Sequence, residues 1–417
     1  MRSVARNVRL YPLYQAFFNA YFWLPVFFLY FSEQLPLRRV LQLEAIYYLT
    51  VVVVEVPSGY FSDTVGRRRT LMVAAAALVV SYALFFFGTG FAVFALAQVF
   101  LAIGMAFNSG TDTALHFDSL SGIDRAGEYA DREASAHRLA LLAGAVAALV
   151  GGLAGAWQLR IAYGLSLLAA LGALVTVWLM VEPPLRAVPG EETVARRGFA
   201  RQLAACAGHL RDRTLAWLLG FAILMIVINH VPYELYQPYL DLLLSEREID
   251  LPGRGTPLVT GVITALTMLI ASWATARSIR LRNRIGLGAT LLLCTTIQVV
   301  IMAAMGLVLH EAILILILLR SVSSAIMQPP MRAAITPRLP QSLRATYLSI
   351  QSLAGRLAFA GTLWLLSRAA EPGAAADWPS LSSMSLTCAV VGFAGFFVLA
   401  AAAGPCLGGE PLESSDR

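Results

Sequence analysis

The sequence predicts an all-α integral membrane protein whose twelve membrane-spanning helices form two six-helix bundles. Three observations support this fold class: the composition, the number of long apolar runs, and a polar segment that divides those runs six and six. Of 417 residues, 58% are hydrophobic and 13% are charged, and the mean hydropathy is +0.69. Soluble domains are about one quarter charged, so this chain has too few polar side chains to cover a water-soluble globule.

Twelve apolar runs are long enough to span a membrane, which takes about 20 residues per helix. Each run must be helical, because lipid offers no hydrogen-bond partners to the backbone. The first run is too long for a signal-peptide core and no small-residue cleavage site follows it, so we expect it to be retained. The predicted spans are, in chain order, 11–31, 40–58, 71–88, 91–118, 134–156, 159–181, 214–243, 257–279, 287–308, 311–332, 345–368 and 380–403.

The distribution of arginine predicts the orientation in the membrane. All 31 basic residues are arginine; with the amino terminus inside, 23 fall on the cytoplasmic side, 6 fall outside, and Arg320 and Arg356 lie within spans. The positive-inside rule therefore predicts a multi-pass protein of the cell (inner) membrane with both termini in the cytoplasm. The net charge of +6 follows from this topology, and no soluble basic face is left to bind a nucleic acid.

A polar segment separates the two halves. Residues 182–213 carry several prolines and a basic run. Apolar residues at helical spacing predict a short amphipathic helix on the inner membrane surface, with a plain flexible linker as the alternative. These residues are Phe199, Leu203, Cys206 and Leu210. The predicted domains are an amino-terminal bundle (1–181), this linker, a carboxy-terminal bundle (214–403) and a cytoplasmic tail (404–417).

Polar side chains are concentrated in every third span. A charge inside hydrocarbon costs about 2.5–3.5 kcal/mol on the insertion scale, so buried polar groups are expected to face a cavity or a partner. Spans one, four, seven and ten carry polar stripes, whereas the interiors of spans three, six, nine and twelve do not and are expected to face lipid. The residues predicted to line a substrate cavity are Gln15, Asn19, Asn108, His230, Glu234, Tyr236, Gln237, Arg320 and Arg356.

A sequence signature follows span two. Gly59, Asp63, Gly66, Arg67 and Arg68 form a G-x-x-x-D-x-x-G-R-R pattern between spans two and three. This pattern resembles the loop signature of major facilitator superfamily transporters. The resemblance implies the twelve-helix fold of that family, with two bundles related by pseudo-two-fold symmetry, alternating access to the two sides of the membrane, and a monomer as the working unit.

The resemblance also implies a role for the charges of this loop. In the family, the aspartate docks on the start of helix eleven, which here lies near residues 344–346, and the first arginine pairs with an acidic residue that ends helix four. Asp63 and Arg67 match the first two positions and Asp118 the third. The resemblance therefore implies a latch that closes the cytoplasmic side, in which Gly59 and Gly66 permit close helix contact and a tight turn.

Two buried carboxylates are candidates for proton coupling. The chain has no nucleotide-binding loop, so uphill transport must use an ion gradient, and burial favours the neutral form of an acid. Asp112 is the first candidate, with His116 one helical turn away as a relay partner. Glu55 is the second, because it lies at four-residue steps from the latch. The alternative is that each carboxylate neutralises an arginine across the bundle.

The leading function is therefore a proton-coupled secondary transporter that exports a small amphipathic compound. Uptake of a small organic anion is the alternative, because Arg320 and Arg356 suit a carboxylate or phosphate and the helix-five antiporter signature of the family is incomplete. Either arginine could instead tie helices together by pairing with Glu234 or Asp112.

Enzyme and channel functions are disfavoured. Five histidines are scattered over different elements and four cysteines lie far apart, so neither a metal site, a disulfide framework nor the clustered groups of a polytopic membrane enzyme is predicted. No filter-like loop of a channel is visible. We expect no cofactor; the expected partners are a small-molecule substrate, protons and the lipid bilayer.

Overall fold

The structure, a computed structural model, is helical across both halves of the chain. It describes residues 2–183, 208, 211–246, 255–335, 338–339, 341–371, 373 and 376–407, without the side chains of residues 2, 3, 56, 63, 130 and 341–346. The helices of the first half are α1 (Arg2–Phe18), α2 (Phe27–Ser32), α3 (Leu37–Val65), α4 (Arg67–Phe87), α5 (Gly90–Asn108), α6 (Thr111–Ser121), α7 (Tyr129–Trp157) and α8 (Leu159–Leu179), with a 3-10 turn at Ala126–Glu128. Those of the second half are α9 (Arg213–Glu246), α10 (Gly255–Thr275), α11 (Ser278–Ile285), α12 (Leu287–Leu307), α13 (Ile313–Leu318), α14 (Val322–Ile335), α15 (Gln341–Ala369) and α16 (Trp378–Leu407).

These helices supply twelve spans and confirm the predicted fold class. Among the described residues, nine helical stretches are long and apolar enough to cross a membrane. Of the other three spans, α1 and α2 together form span one, α3 forms span two and α15 forms span eleven. Several predicted bounds agree closely with the structure; span nine, predicted as 287–308, is the helix Leu287–Leu307. Spans one and two were predicted too short, because α1 begins at Arg2 rather than at residue 11 and α3 ends at Val65 rather than at residue 58. The predicted helix of the linker lies outside the described residues.

Three spans are interrupted, which hydropathy alone did not predict. Span one is non-helical over residues 19–26, span four over 109–110 and span ten over 319–321. At the second break Gly110 has a φ of 75°, which is the left-handed region that favours glycine. Spans four and ten hold the same position in their respective halves. Interrupted helices at corresponding positions are a marker of substrate sites in transporters.

The chain divides into two compact units. The first contains Met1–Arg196 together with Asp250–Ala265, and the second contains Arg197–Ile249 and Leu266–Arg417. Residues 255–265, the first part of α10, therefore belong to the first unit, although the sequence places them in the carboxy-terminal bundle.

An aromatic cluster forms the core at one end of the first unit. The ring centroids of Tyr30 and Phe85 lie 4.6 and 4.9 Å from that of Tyr163, and those of Tyr30 and Phe94 lie 5.4 Å apart. Tyr30 also donates a hydrogen bond of 2.5 Å to the carbonyl of Phe85. Tilted aromatic pairs at such distances add about 0.5–1.5 kcal/mol each beyond burial. The cluster therefore joins α2, α4, α5 and α8 firmly.

The break in span one is held by its neighbours. Gly151 of α7 lies directly against the backbone of Phe22, where any larger residue would collide. The backbone N–H of Trp23 donates to Ser166 (3.2 Å), and its indole Nε1 donates to Tyr82 (2.9 Å). Backbone groups freed from a helix within the membrane must find such partners, so the non-helical segment depends on α4, α7 and α8.

The second unit is held together by side chains that bond the ends of neighbouring helices. Trp217 of α9 donates from Nε1 to the carbonyl of Leu399 at 2.9 Å. Tyr347 of α15 donates to the carbonyl of Leu215 at 2.6 Å. Large apolar side chains such as Phe397 are more than half exposed, as expected of residues that face lipid.

Candidate functional site

The strongest polar site in the first unit is centred on Asp112. This residue lies in the first turn of α6, directly after the break at Gly110. The first turn of a helix has free N–H groups and a partial positive charge, which favour a carboxylate. One carboxylate oxygen, Oδ1, accepts a hydrogen bond of 2.8 Å from the backbone N–H of Thr113. The break thus positions a carboxylate within an apolar span.

Residues of span one complete the surroundings of Asp112. Gln15 donates from Nε2 to Asp112 Oδ2 at 2.7 Å, and Asn19 donates from Nδ2 to Gln15 Oε1 at 3.0 Å. Asn108 is held by the hydroxyl of Tyr14 at 2.6 Å, with its own Nδ2 3.5 Å from Asp112 Oδ2. The structure therefore brings together four residues that the sequence predicted, and adds Tyr14.

A second carboxylate is connected to this site. Gln15 also donates from Nε2 to the hydroxyl of Tyr11 at 2.7 Å, and Tyr11 donates to Glu133 Oε1 at 3.0 Å. His116 Nδ1 lies 2.6 Å from Glu133 Oε2. The partner of the His116 ring is therefore Glu133, whereas the sequence predicted a proton relay between His116 and Asp112.

Sequence reasoning missed both Tyr11 and Glu133. Tyr11 lies four residues before Gln15, on the same face of α1, which was the available signal. Glu133 lies near the start of α7, five residues into a helix whose predicted start was residue 134. It was therefore counted with the preceding loop.

Two arginines of the loop signature have defined partners. Arg67 Nε lies 3.4 Å from Asp118 Oδ2, and its Nη1 donates to Ser62 at 2.9 Å. The backbone N–H of Arg68 is 3.1 Å from Glu182 Oε2, and its Nη2 donates to the carbonyl of Trp178 at 2.8 Å. The first unit therefore pairs the end of span four with the start of span three.

The structure describes the two glycines of the signature and the backbone of Asp63, but not the Asp63 side chain. Gly66 has a φ of 115° between α3 and α4, which requires glycine, and Gly59 has open space where a side chain would stand. The side chain of Asp63 and those of residues 341–346 lie outside the described part of the chain. Glu55 is half-buried, and Ser58 donates to its carbonyl at 2.7 Å.

The second unit has a polar site at the break in span ten. Arg320 is 5% exposed, and its guanidinium lies 4.1 Å from the ring centroid of Tyr236. Its Nη1 donates to Thr267 at 3.1 Å, and its freed carbonyl accepts a bond of 2.5 Å from Gln298. Gln237 donates to the hydroxyl of Tyr236 at 3.1 Å. Among the described residues the side-chain partners of Arg320 are thus neutral groups.

The remaining predicted cavity residues are less informative. His230 Nδ1 lies 2.6 Å from the carbonyl of Ile226, its own preceding turn, and its ring is 5.0 Å from that of Phe359. Glu234 is 1% exposed and Arg356 is half-buried. Among the described residues no cluster of side chains could hold a metal ion.

A known protein family matches most of the chain. The family model described as Major Facilitator Superfamily matches residues 16–362. No curated protein matches the sequence.

Solved structures share the fold at low sequence identity. The nucleoside transporter NupG is similar with a TM-score of 0.74 and 10% identity, over 96% of this chain and 99% of that one. An auto-inhibited POT family peptide transporter has a TM-score of 0.69 and 13% identity, over 97% of both chains. A D-xylose-proton symporter has a TM-score of 0.63 and 13% identity, over 94% of this chain and 97% of that one. At such identities the likeness concerns the fold alone.

Proposed function

Because the chain belongs to the Major Facilitator Superfamily, we propose that it is a proton-coupled secondary transporter in which Asp112 binds the coupling proton. The protein is a multi-pass membrane transporter. We further propose its coupling ion, its direction of transport and its substrate class. A monomeric working unit and an inner-membrane location with cytoplasmic termini are part of the same proposal.

The surroundings of Asp112 carry this proposal. Its described hydrogen-bond partners are two side-chain amides, those of Gln15 and Asn108, and one backbone N–H. No arginine pairs with it among the described residues. A carboxylate that is buried without a cation is stabilised by taking up a proton. This favours proton binding over the alternative in which Asp112 neutralises an arginine.

The pair Arg67–Asp118 supports the proposed cytoplasmic latch. The ion pair joins the start of span three to the end of span four, which is what the family resemblance implies for these positions. Breaking it would release one contact of the inward-closed state. The contributions of Asp63 and Glu55 to this latch rest on the resemblance and on their positions in the sequence.

We favour export of a small amphipathic compound. The complete loop signature and the aromatic side chains among the predicted cavity residues support this direction and substrate class. Uptake of a small organic anion is the second candidate, and Arg320 favours it: its guanidinium has five N–H donors, and its side chain donates to Thr267 and the carbonyl of Ile317 from Nη1 alone.

Transport by purified protein in proteoliposomes tests the proposal. Ethidium serves as the amphipathic probe and benzoate as the anionic probe, each with an imposed pH gradient and, separately, as exchange at equal pH. Proton-coupled export predicts ethidium accumulation in acid-loaded vesicles; anion uptake predicts benzoate accumulation driven by protons moving with it.

Asp112→Asn is the decisive variant, with Asp131→Asn as the control because Asp131 is exposed at the start of α7. We expect Asp112→Asn to keep exchange at equal pH and to lose gradient-driven accumulation, while Asp131→Asn keeps both. Gradient-driven accumulation at the wild-type level in Asp112→Asn would refute the role of Asp112.

A further inference from the structure

We propose that Glu133 and His116 form a second proton-binding site, at the end of the first unit where α7 begins. Tyr11 and Gln15 couple this site to Asp112. The inference rests on the proposed function in one respect only: it takes Asp112 as the first proton site.

The geometry of the pair is that of a shared proton. His116 Nδ1 lies 2.6 Å from Glu133 Oε2, and Tyr11 donates to the other carboxylate oxygen at 3.0 Å. The His116 ring stacks on the Tyr11 ring, with centroids 4.0 Å apart and planes 20° apart. Both oxygens of Glu133 therefore hold a donor, and the imidazole is fixed in its orientation.

Burial gives the two members of the pair different tasks. The side chain of His116 is 1% exposed, whereas that of Glu133 is 25% exposed. A proton from water can thus reach Glu133 directly and pass to the buried imidazole through the 2.6 Å contact. With a neutral imidazole and an ionised carboxylate the pair has a net charge of −1; one added proton makes it zero.

Coupling to Asp112 runs through a chain of donors. Gln15 Nε2 donates hydrogen bonds to Asp112 Oδ2 and to the hydroxyl of Tyr11, both at 2.7 Å. The Tyr11 hydroxyl in turn donates a hydrogen bond to Glu133. Two anions held by one such chain repel each other, so a proton on one lowers the affinity of the other for a second proton. The two sites therefore hold a proton alternately, and loading the His116–Glu133 pair promotes release from Asp112.

No competing cation compensates the pair among the described residues. The ring of Tyr129, also on α7, lies 5.6 Å from that of His116. The nearby arginines have other partners: Arg67 of α4 pairs with Asp118, and Arg125 and Arg132 both hold Glu128. The titratable and charged groups on the packed elements are Arg2, Arg6, Arg9, Tyr11 and Tyr14 on α1, Arg67, Arg68, Arg69 and Tyr82 on α4, Asp112, His116 and Asp118 on α6, Asp124, Arg125 and Glu128 around the 3-10 turn, and Tyr129, Asp131, Arg132, Glu133, His137 and Arg138 on α7.

Histidine NMR on the full-length protein in detergent micelles tests the coupling without any substrate. The chain has five histidines, and His116→Asn assigns the signal of interest. We expect Glu133→Gln to move the titration midpoint of His116, since its partner loses its charge. Asp131→Asn is the matched control, because this carboxylate is exposed on the same helix and its removal leaves the arginine partners of Glu128 in place; it should leave the His116 signal unchanged.

Asp112→Asn tests the connection itself. Removal of the Asp112 charge should make the protonated form of His116 less stable, because one nearby anion is lost, and its NMR signal should report that change. In a Tyr11→Phe background, which keeps the stacked ring but removes the hydroxyl, the same substitution should have a smaller effect. A His116 midpoint that is the same in wild type and Asp112→Asn would overturn the coupling, and one that is the same in wild type and Glu133→Gln would overturn the pair.

Failure of this inference is distinguishable from failure of the proposed function. The NMR titration reports the coupling even if the transported compound is neither probe. Gradient-driven accumulation in Asp112→Asn reports on the proposed function alone. If Glu133→Gln does not fold, Glu133→Asp, which keeps the charge but withdraws it from His116 by one methylene, tests the pair instead, and the Tyr11→Phe series tests the coupling.

Discussion

Replacement of Gly151 by alanine should destabilise the first unit by disturbing the break in span one. A methyl carbon placed on Gly151 would lie 2.8 Å from the carbonyl carbon of Phe22 and closer still to its oxygen. An ordinary contact begins near 3.4 Å, so α7 and the segment must separate by about 0.6 Å or more. The obstacle is backbone rather than a flexible side chain, and overpacking of this kind costs about 1–3 kcal/mol.

Gly144→Ala is the matched control for this substitution. Gly144 is on the same helix and faces the same segment, but its added methyl carbon would lie 3.4 Å from the carbonyl oxygen of Asn19. No displacement is needed there, and alanine is favoured over glycine within a helix by about 1 kcal/mol. This gain applies equally to Gly151→Ala, so the two variants should differ by the overpacking cost alone, about 1–3 kcal/mol, with Gly151→Ala the less stable.

Thermal unfolding in detergent at one scan rate measures this difference. For a unit of about 200 residues it corresponds to roughly 2–12 °C in the unfolding midpoint. The chain has seven tryptophans, so the emission of Trp23 is taken as the difference between each variant and its Trp23→Phe form. Trp23 lies within the segment and donates to Tyr82, so this difference reports whether the segment moves. Equal midpoints for the two variants with an unchanged Trp23 emission would refute the close approach on which the reasoning depends.

Three further predictions concern charged groups in the first unit. Arg67→Gln and Asp118→Asn should slow transport in proteoliposomes to a similar extent, and the double variant should be no slower than either, because paired residues act as a unit; additive losses would contradict the pairing. Hydrogen bonds from its two arginine partners lower the pKa of Glu128 to about 2, so its contribution to the turn is complete above the ordinary glutamate pKa, decreases as the pH falls below that value, and is lost once the pH has fallen through about 2. Carboxyl NMR should show that midpoint, and a value near 4 would contradict it. Gln98 donates a hydrogen bond to buried Glu44 at 2.9 Å. Gln98→Leu should lower the free energy of unfolding by about 1–3 kcal/mol, because it leaves a buried carboxyl without its donor, whereas Glu44→Gln should unfold near the wild-type temperature. A Glu44→Gln variant less stable than Gln98→Leu would contradict the bond.

The positions of the helices were largely predictable, but their interruptions were not. Hydropathy is averaged over a whole span, so span ten looks like one apolar run although its helix ends at Leu318 and begins again at Val322. The break is stable because Gln298, on another helix, bonds the freed carbonyl of Arg320. The sequence of span ten contains no pattern that predicts Gln298 as this partner.

The candidate proton site was half predictable for a similar reason. Asp112 and Gln15 stand out because polar side chains are costly in an apolar span. Glu133 does not, since a carboxylate at the margin of a span looks like an ordinary loop residue. Its importance appears only when α1, α6 and α7 pack together and place it against Tyr11 and His116.

By itself the sequence determined that this chain is an integral membrane protein, that it crosses the membrane twelve times, and that it carries the loop signature of its family. These properties follow from composition, from the length of apolar runs and from fixed short spacings, all of which are local. Only the tertiary structure decided which buried charge meets which partner, because that depends on side chains separated by about a hundred residues. Hydrogen bonds act over about 3 Å, so the pairing of Gln15 with Asp112 or of Tyr11 with Glu133 exists only once the helices have packed.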